Sequence, residues 1–236
     1  MFETFLIQPI YNGFIFLISV MPQGDVGLAI VALTVVVRAV FYPAFTASIR
    51  TQMGMQAIQG ELDEINKKYK DSPEERTRRT MALFKEHNVR PLAGFVALIV
   101  QIPVFFALYL AFFREGLPAI NHELLYSFVS APEVVSVNFF GLLDMLSPHN
   151  IPLALLVGAT QYAAIRLTLT RMGTGTPAVS SDRATAQKMQ QHMMLYFMPA
   201  LLAGISYTFP AAVGLYFIAG NLISLGQEWW IKHKGV

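Results

Sequence analysis

Five stretches of the chain are dominated by apolar residues over a membrane-crossing length, and polar segments separate them. They cover residues 26–46, 92–113, 151–169, 192–209 and 211–231. At about 1.5 Å of rise per helical residue, about twenty residues cross a hydrocarbon core roughly 30 Å thick. The last two are parted only by Phe209-Pro210, and proline suits the start of a new helix, so the pattern predicts a tight helical hairpin there. A sixth apolar stretch, 5–20, is shorter and contains Pro9. It reads either as an amphipathic helix lying on the outer membrane surface or as a further span, and its length and Pro9 favour the first. No basic run precedes it, which argues against a cleaved signal.

Between the first two stretches the pattern changes from apolar to striped. Met55, Ile58, Leu62, Ile65 and Tyr69 recur at spacings of three and four, the mark of one helix face. Lys70-Asp71 ends that helix. Ser72-Pro73-Glu74-Glu75 then predicts a second, with Ser72 as cap, Pro73 in the first turn and Glu75 completing a capping box. Thr77, Met81, Phe84 and Asn88 form its stripe. Two such helices joined by a short turn predict an antiparallel hairpin.

Composition agrees with this pattern. The 236 residues are 54% hydrophobic and only 14% charged, against about 25% charged in soluble domains. The fold class expected is an all-α polytopic membrane protein. With no cysteine, disulfides, thiolate catalysis, cysteine metal sites and lipid-modified cysteine are excluded. His87, His122, His149, His192 and His233 lack ligand spacing, and no glycine-rich phosphate loop occurs, so neither metal nor cofactor is expected.

Charge sets the orientation. Residues 50–90 carry nine of the seventeen Lys and Arg, and Arg166, Arg171, Arg183, Lys188, Lys232 and Lys234 follow later spans. The first 25 residues have none, and 114–150 has Arg114 alone against four acids. By the positive-inside rule the basic segments are cytoplasmic. The expected order is an extracytoplasmic interfacial helix in 1–25, the first span 26–46 and a cytoplasmic hairpin in 47–91. The second span 92–113, an outer loop 114–150 and the third span 151–169 follow. A cytoplasmic loop 170–191, the fourth and fifth spans 192–209 and 211–231, and a cytoplasmic tail 232–236 complete it. Trp229-Trp230 before Lys232 reads as an aromatic anchor at the inner interface.

Arg38 changes the picture most. It lies about 18 Å into the first apolar run, near the midplane of a straight span. A guanidinium there costs about 2.5–3.5 kcal/mol on insertion scales, so such residues face a bundle interior or a water-filled cavity. No acid lies in any span at that depth; either the side chain snorkels to the cytoplasmic surface or water reaches it through a groove. In the second run, Gln101-Ile102-Pro103 puts an amide near mid-membrane beside a proline-freed carbonyl. Its bland reading is a kinked helix with an internally bonded glutamine. Thr160, Gln161, Tyr162, Ser206, Tyr207, Thr208, Asn221, Ser224 and Gln227 read mostly as interhelical hydrogen-bonding groups. Lys67, Lys68, Lys70, Arg76, Arg78 and Arg79 crowd the hairpin tip. They suit anionic lipid headgroups or an acidic partner such as ribosomal RNA, or they form a solvated tip.

Together these residues resemble the YidC-type membrane protein insertases. The resemblance rests on Gly27-Leu28-Ala29-Ile30 through Arg38 and Tyr42-Pro43, and on the charged hairpin. Gln101-Ile102-Pro103 with Tyr109, and Phe209-Pro210-Ala211 with Leu215-Tyr216 and Asn221, complete it. It implies a five-span bundle around a hydrophilic groove open to the cytoplasm and lipid, in a bacterial plasma membrane. The candidate groove residues are Arg38, Gln101, Thr34, Tyr109, Gln161 and Asn221. The hairpin, through Lys67, Lys68, Lys70, Arg76, Arg78 and Arg79, would receive substrate or targeting partners. Implied partners are nascent single-span and small membrane proteins, the lipid bilayer, and the Sec translocon, ribosome and signal recognition particle receptor, with the monomer functional. The absence of a large outer domain and of a lipobox cysteine implies a compact member, and the short tail argues against tail-mediated ribosome anchoring. The implied function is non-enzymatic insertion and folding of membrane proteins. The competing readings are a small anion transporter or channel using Arg38, an intramembrane enzyme, and an assembly chaperone. The first lacks visible inverted repeats. The second lacks paired aspartates or a serine–histidine pair at span depth.

Overall fold

The computed structural model describes residues 5, 8–90, 99, 102–108, 117–171, 189 and 192–233. The protein is mostly helical. Helix α1 is Gln8–Val20, α2 Val26–Val40, α3 Tyr42–Ala57, α4 Gln59–Lys68 and α5 Pro73–Glu86. Residues 99 and 102–108 are helical; the other residues of the expected second span, and 172–188 of the expected loop 170–191, lie outside the described residues. Strands β1 (Asn138–Phe139) and β2 (Leu143–Asp144) form a small antiparallel ribbon, an addition to the all-α expectation. Helices α6 (Ile151–Arg171), α7 (Met198–Thr208) and α8 (Ala211–His233) complete the order.

The first apolar run is not one straight helix. It breaks at Phe41, and α2 and the start of α3 meet at a bend of 71°. Pro43 explains the break: it has no N–H to give the carbonyl four residues back, and its ring collides there. Arg38 therefore sits in the last turn of α2, not midway along a straight span. Among the described residues no single helix is long and apolar enough to cross a membrane, whereas this bent pair passes jointly. The polar positions explain the shortfall in α8, where Asn221, Ser224, Gln227 and Glu228 interrupt the apolar run.

A wide helical turn, Met193–Phe197, leads into α7. Pro199 is again the cause, since the missing donor and the ring clash are relieved by a π-type turn. Phe209 is extended at φ −100° and ψ 165°, and α8 begins two residues later, as Phe209-Pro210 predicts. α7 lies along α6, where Gly158 lets the helices approach: a Cβ there would fall 3.3 Å from Ala203 Cβ.

Among the described residues, two main cores result. The larger joins Tyr11, Phe14, Ile15 and Ile18 of α1 to Val26, Ala29, Ile30 and Leu33 of α2, with Val104, Leu108, Met145 and the start of α8. α1 thus lays one face on α2, while Phe16 and Val20 stay exposed. Its thirteen residues rise about 20 Å, short of a crossing. The smaller core belongs to the hairpin: Ile58, Leu62, Leu83 and Val89, flanked by Met55, Ile65 and Phe84.

The hairpin corrects two expectations. Ser72 precedes α5 but makes no side-chain cap bond, and the Glu75 carboxylate, which would return to the Ser72 N–H in a capping box, turns instead to Arg78 and Arg79 at 2.9 Å each. The buried stripe of α5 is centred on Leu83; Thr77, Met81 and Asn88 are exposed and only Phe84 of the expected stripe packs inward. Asn88 has a different task. At φ 53° it ends the helix in the left-handed region. Its N–H donates to the Lys85 carbonyl at 3.3 Å and that of Val89 to Phe84 at 2.8 Å, a Schellman ending that tucks Val89 into the core.

Candidate functional site: a cavity at the bend of α2 and α3

The bend places Arg38 where three helices meet. As the last-turn residue of α2 it lies among unpaired carbonyls at the negative end of the helix dipole. Its Nη2 donates to the Gly220 carbonyl of α8 at 3.2 Å. The guanidinium carbon stands 4.2 Å above the Phe45 ring, which α3 carries back beneath it. A cation–π contact of this kind contributes about 0.5–2 kcal/mol, more where water is excluded. The side chain is half-buried and folded between helices. Among the described residues no ion pair involves it.

Beside the guanidinium is a shallow, open cleft of about 530 Å³, lined by Val35, Arg38, Ala39, Tyr42, Ile223, Gly226, Gln227 and Trp230. Its wall is mostly apolar, with the Arg38 charge and the Gln227 amide as polar points. Gln227 is buried and its Nε2 donates to Thr46 Oγ1 at 3.1 Å, tying the foot of α3 to α8. A second cross-link lies deeper in α8, where Asn221 Nδ2 donates to Thr160 Oγ1 on α6 at 3.2 Å.

Of the expected groove residues among the described ones, Arg38 alone lines this cleft. Thr34, one turn earlier on α2, is buried and its hydroxyl donates to the Ile30 carbonyl at 2.7 Å, so it is spent on its own helix. Asn221 adjoins Gly220 and serves the α6–α8 contact. Gln161, next to Thr160, is half-buried. Gln101 and Tyr109 lie outside the described residues. Ser224 and Thr208 also bond carbonyls of their own helices, not neighbours. Ser206 is sealed against Gly214, and its hydroxyl has no partner among the described residues.

Sequence reasoning missed Phe45, Gly220 and the cleft-lining role of Trp230. A backbone carbonyl leaves no residue-type signal. Pro43 did announce a bend, and an aromatic two residues beyond it was the available clue to Phe45.

The hairpin tip gathers the six expected cations around Asp71, Glu74 and Glu75. Arg78 and Arg79 share Glu75, while Lys68 Nζ and the Arg79 guanidinium lie 5.7 and 5.9 Å from the Tyr69 ring. Hydrogen bonds from Arg78 and Arg79 hold the Glu75 carboxyl below its ordinary range, and Glu75 raises Arg79 in turn. Lys67, Lys68 and Lys70 project into solvent, and Arg76 is half-buried.

At the opposite end, Asp25 pins the loop to the bundle. Its Oδ1 accepts from the Leu28 N–H at 2.9 Å, capping α2, and its Oδ2 accepts from the Phe140 N–H at 2.8 Å.

Curated relatives share this chain's sequence over most of its length. It is 32% identical over 212 residues to the membrane protein insertase YidC of Pelobacter propionicus, covering 89% of this chain and 35% of that protein. To the Leptospira interrogans protein of the same name it is 29% identical over 240 residues, covering 98% and 35%. To that of Clostridium perfringens it is 30% identical over 230 residues, covering 97% and 87%. The chain thus spans about a third of the length of the first two and most of the third. Residues 17–236 match the sequence profile of the 60Kd inner membrane proteins, and the chain belongs to that family.

Proposed function

We propose that this protein inserts membrane proteins into a bacterial plasma membrane and assists their folding, using the cleft at Arg38 as the entry point. Five spans form the bundle: the bent α2–α3 unit, the segment containing residues 102–108, α6, α7 with its preceding wide turn, and α8. α1 lies at the outer surface; the hairpin of α4 and α5 and the end of α8 face the cytoplasm. The observation that carries this reading is a half-buried guanidinium beside an open cleft of about 530 Å³, with a carbonyl and a ring as neighbours and no ion pair to any described carboxylate.

Such a cation is available to an incoming acidic group. A polar segment of a substrate enters from the cytoplasmic side, meets the charge, and is spared part of the desolvation cost that keeps polar groups out of lipid. The apolar part of the substrate slides along the exposed faces of the helices into the bilayer. A membrane potential positive outside assists an acidic segment by about 2.3 kcal/mol per charge per 100 mV. No bond is made or broken, so the residues act by binding and orientation. The exposed tip cations of the hairpin receive the substrate or an anionic partner, with ribosome, Sec translocon and signal recognition particle receptor as candidates. The name carried by the relatives, membrane protein insertase, supports the same reading.

The test is reconstitution of the purified chain alone in liposomes with a small single-span substrate bearing an acidic tail, scored by protease protection. Wild type is expected to protect the tail. Arg38→Glu is expected to lose that protection while Arg38→Lys keeps part of it. Equal protection by wild type and Arg38→Glu refutes the assigned role.

A further inference from the structure

We propose that the turn Phe140-Gly141-Leu142 is a lipid anchor, whose two apolar side chains enter the headgroup–acyl boundary of the leaflet facing away from the α4–α5 hairpin. This rests on reading α2 and α8 as membrane-embedded.

The turn is rigidly placed at the level where those helices begin. The Val26 N–H donates to the Ser136 carbonyl at 2.9 Å, and the Ala211 and Ala212 N–H groups donate to Ser147 and Met145 at 3.0 Å each. The Phe139 ring packs on Gly27 so closely that a Cβ there has no room. Phe139 therefore points inward, and the Phe140 ring lies against its outer side, with centroids 4.6 Å apart, while staying largely exposed. The Leu142 N–H donates to the Phe139 carbonyl at 3.0 Å, closing a turn whose central residues Phe140 and Gly141 have φ of 50° and 70°.

Turns with two positive φ values select Asn-Gly or Asp-Gly, and a bulky residue there is an outlier. This one carries phenylalanine, 66% exposed, followed by Leu142 at 91%, and a carboxylate from Asp25 holds the backbone in place. The fold thus supports a locally unfavourable choice in order to hold a large apolar side chain outward. Residues 117–150 contain no Lys or Arg, so the partner is not recognised as an anion. Two side chains on a convex tip are a wedge rather than a face, far short of the roughly 1,000 Å² that a stable protein interface buries. An apolar wedge beside the ends of embedded helices fits hydrocarbon near the headgroups.

The chain lacks cysteine, so single-cysteine variants are unambiguous. Leu142→Cys, Ser130→Cys in the same loop and Leu155→Cys on the exposed face of α6 are labelled with a polarity-sensitive fluorophore. Each is studied in phosphatidylcholine nanodiscs, which leave both faces open to quenchers. The label at 142 is expected to be quenched by nitroxide lipid about threefold more, and by iodide about threefold less, than that at 130. Phe140→Asn, which suits the turn, is expected to keep the fold and to lower nitroxide quenching at 142. Iodide access at 142 equal to that at 130, with 155 still quenched by lipid, overturns the anchor and leaves the proposed function standing. Loss of lipid quenching at both 142 and 155 overturns the membrane reading and the anchor with it. Protection of 142 only after a membrane-protein substrate is added assigns the turn to a protein and overturns the lipid.

Discussion

Asp25 carries two structural duties through one carboxylate, and separating them tests how the outer end of the bundle is held. It is 6% exposed, so neither bond is replaced freely by water. Asp25→Ala removes the cap on Leu28, a loss of about 1 kcal/mol. It also strips the Phe140 N–H of a charged acceptor at 2.8 Å, and such bonds contribute about 1.5–3 kcal/mol. The expected sum is about 2.5–4 kcal/mol. At 1.4 kcal/mol per factor of ten, 3 kcal/mol is roughly a hundredfold change in the folding constant. Asp25→Asn keeps one carbonyl oxygen and turns an N–H₂ toward the second donor, so it should fall between wild type and alanine. The assay is equilibrium unfolding of the full chain by SDS titration in mixed micelles, with hydrogen exchange reporting on Leu28 and Phe140. A change below about 0.5 kcal/mol for Asp25→Ala would sink the reasoning, because both bonds would then be no better than their solvated alternatives. Asparagine equal to wild type would assign the stability to the cap alone.

Three further outcomes are expected in the hairpin. Asn88→Ala forces a β-carbon into φ 53° and should destabilise α5 by about 1 kcal/mol, while Asn88→Gly should be neutral or better, read by amide exchange at Leu83 and Val89. A Cβ at Gly54 would fall 2.7 Å from Val89 Cγ2. Gly54→Ala should come out near neutral as helix propensity offsets the contact, and Gly54→Leu should cost about 1–3 kcal/mol, seen as faster exchange at Ile58 and Leu62. Glu75 is held below its ordinary value by Arg78 and Arg79, so its contribution is full above about pH 4.3 and lost as pH falls through the lower folded value. The first turn of α5 should therefore fray at acid pH, and Glu75→Gln should abolish that dependence, followed by exchange at residues 75–79.

Local rules reached some features and stopped at others. Phe209-Pro210 told of a break because proline acts on its own neighbourhood, and the same logic at Pro43 explains the bend that a hydropathy pattern reads straight through. The stripe of α4 is legible since Ile58 and Leu62 have no apolar rivals beside them. In α5, Leu83 and Phe84 are adjacent and both apolar, so the buried face is decided by the Schellman ending that draws Val89 beneath the helix. The β ribbon has no local hydrophobic alternation; it depends on Asp25 and Ser136 meeting across more than a hundred residues. Arg38 was conspicuous by charge, but its partners are a ring four residues past the break at Phe41 and a main-chain oxygen of a distant helix.

Gly54 and Val89 touch, which gives the hairpin a mechanical character of its own. The chain leaves at one and returns at the other, so the segment between is a closed appendix with its two stumps already abutting. Shortening it, or grafting in another sequence, leaves no gap to bridge and puts little tension on α2. Whatever the tip binds can thus be re-specified by evolution or by an engineer without redrawing the bundle that carries Arg38.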